Sequence, residues 1–286
     1  MAGIAWTRQR QLLTLARMAD TPLTYGRYLK VPELLSLQRC LSSPAHHDEP
    51  LFIIIHQVYE LWFKLLLHEV DSAIGLLGGD RVQEATRLLR RVVEVEGLLV
   101  EQVRILETMR PQDFLGFRYN LNPASGFQSV QFRELEFVLG LKDRAMLAKL
   151  VGEASELTRL EARLVAPSLS DAFDALLERR GFRRPPAGPA PDAPSEPEEW
   201  RLAALLAIYG EPDGHADLSA LAEVLVDIDE SLALWRAHHV QMVERMIGAK
   251  RGTGGSDGVG YLRATLSKRA FPDLWRMRTH LGLEPQ

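Results

Sequence analysis

Apolar residues recur three and four positions apart over most of this 286-residue chain, while segments alternating apolar and polar residues are scarce. A strand shows one face every second residue and a helix every three or four, so this spacing predicts an all-α fold, a helical bundle. A first long helix is expected from Asp48, Glu49 and Pro50, residues suited to an opening turn, to the stop at Gly78 and Gly79. A second is expected from about Arg81 to Met109, with Leu88, Val92, Val95, Leu99 and Leu106 at helical spacing and Pro111 just beyond its end. Another should follow SGFQS through VQFRELEFVLG, and a shorter one should cover Ser170 to Arg180. The longest should run from Asp217 to Gly248, where Leu221, Leu225, Ile228, Leu232, Trp235, His239, Met242 and Met246 form one apolar seam. Between 181 and 199 proline is concentrated and large apolar side chains are few, which reads as a surface loop.

Composition narrows the function classes. A net charge of -4, from 34 basic and 38 acidic residues without long runs of one sign, offers no nucleic-acid or polybasic membrane surface. Cys40 is the single cysteine, which excludes an internal disulfide, a thiolate zinc cluster and covalent heme attachment through CxxCH, and points to a reducing compartment. With no apolar stretch of signal or membrane-spanning type, the expected location is the cytoplasm. HExxH does not occur, so the commonest zinc-hydrolase reading falls away.

Two histidines interrupt apolar helix faces. His56 shares a face with Phe52, Ile55 and Tyr59, and His239 occupies the long seam while His238 is rotated to the flank. Either alone reads as a core imidazole with a hydrogen-bond partner; two in one helical chain point to a shared site. His46 and His47, in HHDE, read as capping and solvated groups at the first helix start, and His68, His215 and His280 stand in no ligand pattern. Two glycine-containing loops carry anion-binding potential. One holds Arg118, whose planar fork suits a carboxylate, and the other holds Lys250, Arg251 and Thr253 among glycines that admit close approach of backbone amides; a surface arginine and a flexible connection are the plainer readings.

Taken together, TYGRYLKVPELLSLQ, HDEPLFIIIHQVYELWFKLLLHEVD, FRYNLNPASGFQSVQFRELEF and WRAHHVQMVERMIGAKRGTGGSDGVGYL resemble the tryptophan 2,3-dioxygenase family in order and spacing, from about Thr24 to Thr279. The resemblance implies one helical heme-binding domain over 1–286, with a segment of about 1–40 contributing to a neighbouring subunit of a homotetramer and a proline-rich loop at about 182–199. It implies noncovalent heme b with His239 as the axial iron ligand, and His56 as the distal group accepting the indole N–H. Phe52 then packs on the indole, Arg118 pairs with the substrate carboxylate, and Thr253 contacts the amino-acid end. Ser125 and Gly126 match the loop over the distal heme face, and Tyr25 and Tyr28 match residues reaching a neighbour's pocket.

The implied reaction is dioxygenation of L-tryptophan with O2 at the indole C2=C3 bond to N-formylkynurenine. One position departs from the family pattern. Phe114 stands where the family usually carries a tyrosine that helps hold the carboxylate, so that hydrogen bond is lost. Insertion of one oxygen atom into tryptophan or a β-methylated tryptophan, giving a 2-oxindole or hydroxylated product, is the alternative this departure raises; a non-catalytic heme sensor is the second.

Overall fold

The computed structural model describes residues 22–148, 150, 152–182, 197–253 and 258–282, and among these every regular element is helical. The chain divides into two compact units, Met1–Cys40 and Leu41–Gln286. In the first, the described part is two single-turn helices, α1 (Tyr25–Tyr28) and α2 (Val31–Leu34), neither of which buries a residue. The Thr24 hydroxyl caps α1 by accepting from the Arg27 amide, and Pro32 opens α2 where its missing N–H costs nothing.

The second unit is built on three long helices, α3 (Glu49–Gly78), α4 (Val82–Leu106) and α11 (Ala216–Ile247). Their apolar stripes face one another: Leu66, Val70, Leu89, Val92, Leu225 and Ile228 are all 0% exposed. Each such side chain contributes about 1.5–3 kcal/mol by leaving water. Between them come α5 (Pro111–Arg118), α6 (Val130–Leu139), α7 (Arg144–Leu147), α8 (Ala154–Val165), α9 (Leu169–Arg179) and α10 (Pro197–Gly210). After α11 follow α12 (Val259–Arg263) and α13 (Pro272–Met277). Helices α6 and α9 pack on α3, and α11 lies along α4. Among the described residues, α3 alone is long and apolar enough to cross a bilayer, yet it carries Glu69, buried and paired with Arg91 of α4 at 2.6 Å.

Polar groups set the register of this core. Tyr59 of α3 donates its hydroxyl to the Leu99 carbonyl of α4 at 2.8 Å. Asp229 of α11 accepts the amides of Ala270 and Phe271 at 2.7 and 2.9 Å, fixing the entry to α13. Glu96 of α4 is wholly buried, and burial together with the neighbouring Asp229 raises its pKa well above the carboxylate range, favouring the neutral acid.

Most long elements lie where the periodicity puts them: α3, α9 and α11 begin and end within about one residue of expectation. Helix α4 stops at Leu106, three residues short of Met109. Pro111, read as a stop, instead occupies the first position of α5, because a residue that cannot continue a helix is well suited to start one. Of the proline-rich stretch expected at about 182–199, residues 183–196 lie outside the described residues, and α10 begins at Pro197.

Candidate functional site

One cavity of about 560 Å³ opens between α3, α5, α6 and α11, within the usual range for small-molecule sites. Its walls are mainly apolar, and it gathers most of the residues singled out from the sequence: Phe52, His56, Phe114, Arg118, Ser125, Gly126, His239 and Thr253. Tyr25 and Tyr28 belong to the first unit, where they are 78% and 71% exposed.

His56 sits on α3 one turn after Phe52, with ring centroids 4.1 Å apart. Its Nδ1 lies 2.7 Å from the Phe52 carbonyl oxygen. A carbonyl can only accept, so Nδ1 carries the proton and Nε2 is left as a bare acceptor. Burial pushes the His56 pKa down, and the Phe52 carbonyl and the Glu60 charge only partly oppose this.

Helix α11 supplies the second imidazole. His239 lies against Trp235, one turn earlier, with ring centroids 5.1 Å apart and planes 10° from parallel. Enclosed by protein apart from the ring surface that faces the cavity, His239 has its pKa pushed down to about 4, first by burial and then by the nearby His56, since the two rings disfavour being protonated together. A neutral imidazole keeps the lone pair a metal requires. His238, its neighbour in sequence, is not among the lining residues, as the seam predicts.

Arg118 ends α5 and is 7% exposed. One guanidinium nitrogen, Nη2, donates to the Arg251 carbonyl, while Thr253 Oγ1 donates to the Ala124 carbonyl at 2.6 Å. These two bonds join the glycine loops that the sequence keeps more than 120 residues apart. Gly258 closes the same region at φ 62°, where a Cβ would stand 2.8 Å from the Lys250 carbonyl oxygen, so only glycine fits. Ser125 caps a short turn over 126–128 by accepting from the Phe127 amide, and Ser129 caps α6 by accepting from Phe132.

Phe114 stacks on Phe52 at 5.6 Å and 27°, and meets Phe117 edge-on at 5.5 Å, so it extends the aromatic wall. Under that wall lies His46, which is half-buried against Phe117 and not solvated as expected. Its Nδ1 accepts from the Asp48 amide at 3.3 Å, and Gly116 passes so close that a Cβ there would come within 2.8 Å of Nε2. His47 alone is solvated, its side chain 98% exposed.

Sequence reasoning missed a group of charged residues on the same cavity: Glu60, Arg133, Glu136 and Arg236. The carboxylate of Glu136 joins Arg133 at 2.5 Å and Arg236 at 2.8 Å, and all three side chains are under 8% exposed. Arg133 and Glu136 interrupt the apolar VQFRELEF and Arg236 follows Trp235 in the seam, a signal of the kind used for the histidines but not applied to arginine.

The residues present suit a flat, largely apolar prosthetic group with a metal: an apolar chamber, one neutral imidazole on its wall, and guanidinium groups for its acidic side arms. The family model described as tryptophan 2,3-dioxygenase matches residues 13–177 and 198–281. A protein of Nocardioides sp. named tryptophan 2,3-dioxygenase is 51% identical over 264 residues, covering 91% of this chain and 95% of that one. Proteins of the same name from Caulobacter vibrioides and Serratia proteamaculans are 47% and 43% identical, again over 91% of this chain and over 98% and 94% of theirs.

Proposed function

Because the chain belongs to the tryptophan 2,3-dioxygenase family, we propose that it oxidises L-tryptophan with O2 to N-formylkynurenine, with heme b held in the cavity by His239. The observation that carries this reading is the meeting, in one apolar chamber, of two neutral imidazoles from different helices with the buried guanidinium of Arg118.

Heme, when bound, supplies the binding and activation of O2. The chain's own residues place the substrate. Phe52 and Phe114 offer the aromatic wall against which an indole packs. His56, protonated at Nδ1 by its bond to Phe52, presents Nε2 to accept the indole N–H and so fixes which edge of the ring enters first. Arg118 keeps one nitrogen on the Arg251 carbonyl and turns the rest of its fork to the carboxylate. Thr253, on the loop tied to Ala124, meets the amino-acid end, and Ser125 with Gly126 covers the face of the ring system nearest the 126–128 turn. Holding both ends of the substrate lowers the entropic part of the barrier.

Tyr25 and Tyr28, exposed on a unit whose described helices bury no residue, are read as covering a neighbouring copy's cavity in a homotetramer that works in the cytoplasm. The test is to turn over L-tryptophan under 18O2 with the heme-loaded protein and weigh the product. N-formylkynurenine with two heavy oxygen atoms is expected; a product with one, or none from tryptophan at all, overturns the proposal.

A further inference from the structure

Gly116 stands inside α5, between the two residues this helix lends to the cavity, Phe114 and Arg118. A glycine inside a helix is destabilising relative to alanine, and the right-handed backbone of α5 does not call for one. What excludes a side chain is His46: a Cβ on Gly116 would stand 2.8 Å from Nε2 and 2.9 Å from Cδ2 of that ring. Neither His46 nor Gly116 lines the cavity, so this contact lies behind its aromatic wall.

The His46 ring is not free to swing aside. The Asp48 amide donates to its Nδ1 at 3.3 Å, and its face meets Phe117 at 5.4 Å and 48°. Its backbone is tied as well: the His46 amide donates to Ser42 Oγ at 2.7 Å, and its carbonyl accepts from the Glu49 amide at 3.2 Å. Ser42 in turn donates its hydroxyl to the Glu49 carboxylate, which also accepts the amides of Leu41 and Ser42 at 2.6 and 3.0 Å. Glu49 is 0% exposed and opens α3, the helix that bears Phe52 and His56. His46 is therefore a braced spacer between the first turn of α3 and the underside of α5. The Arg110–Asp113 pair at the start of α5 leaves its arginine exposed, and ion pairs of that kind add little, which leaves packing at Gly116 and Phe117 to fix where α5 sits.

We propose that His46 is a positioning residue for substrate binding: its ring sets the separation of α5 from the start of α3, and so holds Arg118 and Phe114 in place opposite Phe52 and His56. This rests on the reading of Arg118 as the partner of the substrate carboxylate. Without the ring, Gly116 and Phe117 settle towards α3, because the structure around an unfilled space closes it as far as it can. A displacement of about 1 Å is enough to spoil a two-pronged contact between a guanidinium and a carboxylate.

The test measures the dissociation constant of L-tryptophan for the heme-loaded protein with oxygen excluded, so that binding is read without turnover, together with the Soret band and Tm. His46→Ala is expected to weaken binding about tenfold, the scale of one charge-assisted hydrogen bond, and to leave the Soret band unchanged because His239 stands on α11. His46→Asn keeps an acceptor for the Asp48 amide but lacks the ring edge against Gly116, so it should weaken binding to a similar extent while the 41–49 loop stays folded. Gly116→Ala should also weaken binding about tenfold and lower Tm, since the new methyl group meets the ring. In the double variant with His46→Ala that methyl enters the space the ring has left. Binding should then be no weaker than in either single variant, against about a hundredfold loss if the two acted independently, and Gly116→Ala should now raise Tm. Wild-type affinity in His46→Ala or His46→Asn, whatever happens to Tm, overturns the proposal, as does an additive double variant. A wild type that binds L-tryptophan but does not oxidise it once O2 is admitted removes the proposed activity alone, and the same constants still decide His46; a wild type that does not bind it removes both.

Discussion

Replacing Arg118 with lysine isolates what a planar fork adds to a charge. The guanidinium carries five N–H donors, of which one on Nη2 is given to the Arg251 carbonyl, so a two-pronged contact remains available to a carboxylate. A lysine ammonium that keeps the Arg251 carbonyl can offer the carboxylate about one good bond. The difference is one charge-assisted hydrogen bond in a site only 7% exposed, about 1.5–3 kcal/mol, or roughly 10–150-fold. We therefore expect Arg118→Lys to raise the Michaelis constant for L-tryptophan by that factor while changing kcat and the heme spectrum little. Steady-state kinetics on L-tryptophan and on tryptamine, which has no carboxylate, provide the assay: the substitution should weaken the first and spare the second. If the wild type turns over both compounds with the same Michaelis constant, or if both weaken equally in the variant, Arg118 acts by holding the 251–253 loop and not by binding a carboxylate.

Three further outcomes follow from the same geometry. His239→Ala should abolish heme retention or shift the Soret band strongly, whereas His238→Ala should change little; equal effects would refute the assignment on α11. Phe114→Tyr should place a hydroxyl near the Arg118 end and lower the Michaelis constant for L-tryptophan by roughly 2–10-fold, the worth of one neutral hydrogen bond, and unchanged constants on tryptophan and β-methyltryptophan would put Phe114 outside the substrate's reach. The folded-state pKa of both cavity histidines lies below 6.5, so the unfolded chain binds the extra protons, and heme-free protein should lose stability as pH falls from 6.5 towards 4. Melting curves across that range should show Tm falling, with a shallower slope in His239→Gln.

Much of this arrangement was legible in the sequence because helices are local. The seam on α11 separated His239 from His238 by rotation alone, and the same period placed Phe52 and His56 on one face of α3. Gly78 and Gly79 and the acidic, proline-containing start of α3 marked its ends. The roles of Arg118 and Thr253 came from resemblance, since neither loop has a period to read. The shorter helices α8 and α10 went unread: each has to be told from its surroundings over a span of 12 or 14 residues, and α10 opens in the proline-rich stretch. What only the tertiary structure decided is which charges meet. Glu136 on α6 joins Arg236 on α11 exactly one hundred positions later, and Arg118 joins Arg251 across 133. A buried ion pair is selected by the low dielectric around both partners at once, and that environment exists only after distant helices have packed.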